Sequence, residues 1–237
     1  MGVVIFNGVS SLDYHIQVEH PPEYETPSKD YEIVHVPGKN GDIVLDKGSF
    51  KNVARSYQVA VGSLEEDFTT QVNRISEWLH SASGYARLED SYEPEYYRLA
   101  MYEESNIIKN ILGQAGRTTI NFNCKPQRYL KLGDISVMFT KNGILRNPTE
   151  FIALPIISVN GSGSGTLRIG EFTVSLSQIN GTTIINSDVQ DCYYGLNNRN
   201  SYVTLNHGFP KLLKGENEIS FSGGITSMEV IPKWWTL

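Results

Sequence analysis

The amino-acid sequence predicts a mainly β chain of two domains: an N-terminal β-sheet or sandwich domain with one α-helix and a hairpin arm, and a C-terminal β-sandwich. Three observations predict it. Short runs rich in Val, Ile, Thr and Tyr are punctuated by Gly, Asn, Ser and Pro along almost the whole length, as strands and turns are. One segment alone carries a helical apolar stripe. Between Lys125 and Asp134 the texture changes, and almost everything after it reads as strand. The chain has 237 residues, 40% hydrophobic and 19% charged, enough apolar material for real cores and a length between one and two domains of ~150 residues.

Taken in order, VVIFNGVSSLDYHIQVEH predicts two short strands about Asn7-Gly8, a hairpin signal. Pro21, Pro22, Pro27 and Pro37 exclude a long central strand through the next stretch. There YEIVHVP is extended, GKNGD is a turn and DIVLD is extended again, so a hairpin arm is expected over about residues 20–50. Its Ile33, Val34, Val36, Ile43, Val44 and Leu45 are more apolar than an isolated exposed hairpin keeps uncovered. A helix is predicted at about 64–82. Ser63 and Glu66 form a capping box, Glu65, Glu66 and Asp67 place negative charge in the first turn, and Leu64, Phe68, Val72, Ile75 and Leu79 make one stripe. Trp78 flanks that stripe, Asn73, Arg74 and Glu77 face water, and Gly84 suits the stop.

Four candidate strands follow: GYARLEDS, EYYRLAMYEE, SNIIKNIL and GRTTINFNCKP. In the last, Ile120, Phe122 and Cys124 face one way, Asn121 and Asn123 the other, and Pro126 is expected to end it. KPQRYLKLGD, with Lys125, Arg128 and Lys131, reads as a short link, giving domains of 1–128 and 135–237. From Ile135 the chain breaks into eight or nine short strands, with Asn-Gly at 142, 160 and 180 expected as type I′ hairpin turns. Near the end, MEVIPKWW predicts a paired strand with Met228, Val230 or Trp234 in the core, since these fall on alternate positions with Pro232.

Chemistry is sparse. Twenty basic against 26 acidic residues, formally −6, argue against a general grip on phosphates or anionic lipid. No apolar run approaches the ~20 residues of a membrane span, and MGVVIFNGVSS lacks the basic region of a signal peptide, so no membrane anchoring and a start in a cytoplasm are expected. Phe6 stands where N-myristoylation wants Ser or Thr. Cys124 and Cys192 have no CxxC spacing and read as buried thiols. His15, His20, His35, His80 and His207 show no ligand spacing, and no serine sits in a nucleophile elbow, so no catalytic residue, metal or cofactor is predicted. GSGSG at 161–165 lacks the GKS or GKT of a phosphate loop and reads as a long hairpin turn. Glu89/Asp90 and Glu103/Glu104 point to opposite faces of a strand, and Glu93/Glu95 flank Pro94 in a polar, solvated turn. The sequons at Asn160 and Asn180 read as turns. Tyr193, Tyr194, Tyr202, Trp234 and Trp235 are core or edge aromatics, with a sugar platform as the alternative.

Several segments together resemble the distal tail protein family of long-tailed, non-contractile bacteriophages and prophages. VHVPGKNGDIVLDKGSFKNV looks like the family's N-terminal pattern, and EWLHS, YARLEDSYEPEYYRLA and TTINFNCKPQRY follow in its order. NPTEFIALPIISVNGSG and GFPKLLKGENEISFSGGITSMEVIPKWWTL resemble its C-terminal half, including Phe209-Pro210, Leu212, Gly215, Asn217, Ile219 and Ile231-Pro232-Lys233-Trp234. Lys39 and Lys233 stand where arginine is more usual, and the chain has no room for an inserted carbohydrate-binding module. The resemblance implies a non-enzymatic structural protein, a homo-hexameric ring at the virion tail tip, assembled in the bacterial host cytoplasm. It implies that the N-terminal domain builds the ring and that a galectin-like C-terminal sandwich projects from it. The implied partners are the tail tube, a tail-associated tip protein and a receptor-binding protein, with DNA only as passing cargo. The arm residues Val36, Pro37, Gly38, Lys39, Asn40, Gly41, Asp42, Ile43 and Leu45 are then the expected inter-subunit contacts. A carbohydrate-binding module that attaches to host cell-wall glycans is the alternative function.

Overall fold

The structure, a computed structural model, describes residues 2–62, 67–103, 109–110 and 115–237. It is mainly β with one α-helix. The chain divides into two compact units, Met1–Arg128 with Leu237, and Tyr129–Thr236.

In the first unit, β1 (Val4–Phe6) and β2 (Val9–Ser10) form a tight hairpin. Asn7 and Gly8 between them have φ of 51° and 79°, as a type I′ turn requires. A 3-10 turn leads to β3 (Ile16–Val18), so this stretch holds three strands where two were expected. Then come β4 (Lys29–Val34), β5 (Ile43–Phe50), β6 (Val53–Gly62), α1 (Phe68–Leu79), β7 (Ala86–Asp90), β8 (Tyr96–Tyr102), β9 (Lys109–Asn110) and β10 (Ala115–Leu130). The main sheet runs β2-β1-β7-β8-β10-β6-β3, while among the described residues β4 and β5 pair only with each other. Alternation in β6 buries Val53, Tyr57, Val59 and Val61, and in β10 it buries Ile120, Phe122 and Cys124, all in one core with Phe6, Ile16 and Leu88.

Helix α1 is shorter than the predicted 64–82. Asp67 is its N-cap, its carboxylate accepting from the Thr69 and Thr70 amides at 3.0 and 3.1 Å. The capping box at Ser63 and Glu66, with Leu64 and Glu65, lies outside the described residues. The far end stops at Leu79 because the Ser81 amide bonds back three residues to Trp78, which tightens the last turn before Gly84 is reached. Ile75, Trp78 and Leu79 are buried, while Phe68 and Val72 are only half-buried. Trp78 is central: its Nε1 donates to the Phe6 carbonyl at 3.2 Å and its ring stacks on Tyr14 at 5.1 Å. A second correction concerns Pro126, which does not end its strand. Pairing of β10 to β6 runs from Ala115 opposite Gly62 to Cys124 opposite Val53, so Pro126 lies past the last rung and its missing N–H breaks no bond in that ladder.

The second unit contains β11 (Val137–Phe139), β12 (Gly143–Asn147), β13 (Ile156–Ile169), β14 (Phe172–Asn186), β15 (Asp191–Tyr194), β16 (Asn197–Asn198), β17 (Val203–Asn206), β18 (Gly215–Ile231) and β19 (Trp235–Thr236). Three of these are long: β13 has 14 residues, β14 has 15 and β18 has 17. Each of β14 and β18 changes outer neighbour along its length. β14 pairs with β17 at Thr173–Leu176 and with β15 at Ile184–Asn186; β18 pairs with β12 at Gly215–Ile219 and with β11 at Met228–Val230. One hydrogen-bonded sheet therefore makes two leaves, and Leu167, Ile169, Val174 and Ile219 of one leaf share a core with Ile157, Val159, Ile185, Met228 and Val230 of the other.

Glycine permits the bend. A Cβ on Gly161 would sit 2.0 Å from the Gly224 carbonyl oxygen, and one on Gly224 would sit 1.7 Å from that of Ser162. GSGSG is thus not a hairpin turn but a strand interior where β13 and β18 touch backbone to backbone, with the register shifting between Gly161 and Gly165. The Asn-Gly pairs at 160 and 180 are likewise not turns: Gly161 faces Gly181 across the ladder, and the loop joining β13 to β14 is Gly170-Glu171.

Candidate interaction site

The arm is β4 and β5, joined through a tip at His35–Asp42. Gly38 and Gly41 have φ of 82° and 80°, which only glycine adopts without strain, and the Lys39 amide bonds to the Val36 carbonyl at 3.1 Å. His35 Nδ1 and Asp42 Oδ1, 3.0 Å apart, close the neck of the tip. Ile33 pairs with Val44 and Val34 with Ile43, so opposite residues share faces and both faces carry apolar side chains. Ile33 is 58% exposed, Val44 60% and Leu45 51%. Of the predicted contact residues, Pro37, Gly38, Lys39, Asn40, Gly41, Asp42 and Leu45 are exposed and Val36 and Ile43 are half-buried. Ile33 and Val44, absent from that set, form the other apolar face.

A buried ion network holds the root of the arm. The Arg55 side chain is 2% exposed; its Nη2 lies 2.9 Å from Asp90 and 3.0 Å from Glu93, and its Nη1 donates to the Glu23 carbonyl at 3.2 Å. Tyr57 donates its hydroxyl to Asp90 at 2.7 Å, and Arg98 and Arg128 reach Glu93 at 3.2 and 2.7 Å. Arg128 also donates to the Leu237 main-chain oxygen at 3.0 Å. Tyr24 covers the Arg55 guanidinium at 4.7 Å, and the Glu25 carboxylate accepts from the Ala54 amide at 2.8 Å. Residues 23–25, leading into the arm, are therefore pinned to β6. Burial alone would raise the Asp90 pKa, but the bonds from Tyr57 and Arg55 and the Arg55 charge outweigh it and hold the carboxyl below its ordinary 3.8.

Glu93 corrects the expectation of a solvated turn. Asp90 caps the Tyr92 and Glu93 amides, both at 2.9 Å, which turns the loop inward and delivers the Glu93 carboxylate to three arginines. The signal in the sequence was Arg55 itself, a charge on the inward parity of Val53, Tyr57, Val59 and Val61. The five histidines are all exposed, and no group of three metal-ligating side chains occurs among the described residues. Both thiols are buried, Cys124 with its pKa pushed up to about 12 and Cys192 to about 11 by desolvation. Of the aromatics weighed as a sugar platform, Trp234 is buried and Trp235 stacks on Phe151 at 4.4 Å, its Nε1 donating to the Ile152 carbonyl.

No family model and no curated protein sequence matches the chain. In fold, however, it is similar over its whole length to a phage hub protein. That protein is SPP1 Dit, whose crystal structure is described as a paradigm of the hub adsorption apparatus in phages that infect Gram-positive bacteria. The TM-score is 0.77 with 100% of both chains covered, and the identity of 14% makes this a likeness of fold.

Proposed function

We propose that this chain is a structural component of a phage tail tip, a baseplate hub in which six copies form a ring between the tail tube and the host-recognition apparatus. The observation that carries the proposal is the whole-chain fold likeness to the SPP1 hub protein. The arm supports it from physics. Its apolar faces and two unpaired edges are uncovered in a single copy, and a heterologous contact closed by rotation covers them in every copy. Burying three such side chains at ~1.5 to 3 kcal/mol each outweighs part of the association cost at each of the ring's interfaces. In this reading residues 1–128 build the ring and 135–237 form a galectin-like sandwich that holds receptor-binding or other tip proteins. No catalysis and no cofactor enter. Each copy brings a formal charge of −6, so the ring is acidic and DNA passes without adhering. Native mass and negative-stain images of the full chain, alone and in assembled tails, test it: six-fold rings are expected, and a monomer even in tails rejects it.

A further inference from the structure

Five Asn-Gly pairs occur in the chain, beginning at Asn7, Asn40, Asn142, Asn160 and Asn180, and the fold holds four of them. In this dipeptide the main chain can attack the side chain, because glycine has no Cβ to shield its own nitrogen. Attack needs an asparagine side chain free to swing back and a glycine amide free of other bonds. Asn7 Nδ2 donates to Ser81 Oγ at 3.2 Å. Asn142 Oδ1 accepts from the Phe221 amide at 3.1 Å, and Gly143 lies in β12 opposite Ile219. Asn160 Oδ1 accepts from the Thr182 hydroxyl at 2.6 Å, and Gly161 lies between β14 and β18. Asn180 and Gly181 both lie in β14, opposite Ser162 and Gly161. At the arm tip neither restraint exists. The Val36–Lys39 main-chain bond and the His35–Asp42 pair shape the tip on either side, and Asn40 and Gly41 lie between them, exposed and outside any strand. Among the described residues, neither the Asn40 side chain nor the Gly41 amide makes a hydrogen bond. A Cβ added to Gly41 would meet nothing within 4 Å, so no neighbour bars the approach.

We propose that Asn40 is a modification site, at which the arm tip converts its own amide to a carboxylate. The Gly41 nitrogen, its proton taken by hydroxide, forms a bond to the Asn40 side-chain carbonyl carbon. The bond from that carbon to Nδ2 breaks, and Nδ2 leaves as ammonia with protons from water, closing a cyclic succinimide. Water then opens the ring. Opening at the side-chain carbonyl gives aspartate; opening at the Asn40 main-chain carbonyl gives isoaspartate, whose backbone runs through the former side chain and is longer by a methylene. In sum a water is consumed and an ammonia released, and nothing is oxidised or reduced. Either product adds a negative charge between Lys39 and Asp42, whose formal charges cancel, so the tip turns from neutral to acidic. The change is irreversible, so copies of different age differ at the tip of the arm. The inference stands on the tip's geometry and does not depend on the ring reading.

The test uses the full chain, folded, incubated in mildly alkaline and mildly acidic buffer and sampled over days. Digestion in acid stops the reaction, and peptide mass spectrometry with an isoaspartate-specific methyltransferase label reads the products at each Asn-Gly pair. Both isoaspartate and aspartate are expected at position 40, faster in alkali because the Gly41 amide must first lose its proton. The pairs at 142, 160 and 180 must open locally before they can react, so they should lag by roughly tenfold or more. Asn40→Gln, which would have to close a larger ring, should abolish the signal from the tip and leave the melt unchanged, since the side chain is exposed. Equal rates at Asn40 and at the strand pairs would mean that the fold does not select the site. Aspartate without isoaspartate would replace cyclisation by direct hydrolysis. An isoaspartate label undiminished in Asn40→Gln, or none at position 40 in the wild type, overturns the assignment.

Discussion

The arm and the β13–β14 hairpin of the second unit are built from the same material, yet they end in opposite environments. In β13 and β14, Ile157, Val159, Leu167, Ile169 and Val174 are fully buried; in the arm, Ile33, Val44 and Leu45 are half or more exposed. The difference is not in the side chains. The long hairpin has β18 along one flank and a second leaf folded over its apolar face, whereas β4 and β5 have only each other. An isolated two-stranded ribbon is marginal in water, and one with apolar residues on both faces is the element that the proposed ring contact would cover.

The largest effect is expected where a substitution spoils what lets the second unit fold over. Gly224→Ala places a methyl 1.7 Å from a backbone oxygen that cannot move aside, and a loss of more than about 4 kcal/mol is expected by denaturant unfolding. A melt like the wild type would mean that β13 and β18 part easily there. Next in size, Arg55→Ala leaves Asp90 and Glu93 buried against fewer cations, at a cost of about 3 to 5 kcal/mol. The pH dependence carries a sign. Asp90 has a lowered native pKa, so its contribution is complete above its ordinary 3.8 and disappears as the pH falls through the native value. Acid titration of the wild type should show that loss below about pH 4, and Asp90→Asn should remove that component.

Smaller again is Asp67→Ala, which strips the cap from α1 and should cost ~1 kcal/mol in a thermal melt. A null result there would assign the helix start to residues upstream. Smallest for stability, and largest for assembly, are Ile33→Glu and Val44→Glu. Both sites are exposed, so the melt should move by less than ~0.5 kcal/mol while ring formation is lost. Normal rings from the folded double variant would take the arm out of the interface and erase the contrast with the long hairpin.

Much of this architecture was legible residue by residue. Asn7-Gly8 between two apolar pairs is a turn because nothing else in the chain competes for it, and Ile120, Phe122 and Cys124 alternate inward as their spacing requires. The arm was legible for the same local reason, with GKNGD set between two short extended runs. Asn160-Gly161 and Asn180-Gly181 misled because a two-residue signal cannot distinguish the end of a strand from a kink within one. At Asn160-Gly161 what decides is Gly223 and Gly224, some sixty residues further on, closing against the 161–165 backbone, and Gly181 then follows as the partner of Gly161 across the ladder. Glu93 was hidden in the same way: its turn is polar and carries Pro94, and only the convergence of Arg55, Arg98 and Arg128 draws it inside.

The three long strands of the second unit carry a mechanical consequence. In a sandwich of separate sheets, one layer can be peeled from the other by breaking side-chain contacts alone. Here β13, β14 and β18 pass through both leaves, so tension applied to one leaf runs into the other along peptide bonds. Neither leaf can yield by itself, and stretching or heating this unit should produce one rupture with no half-open state before it.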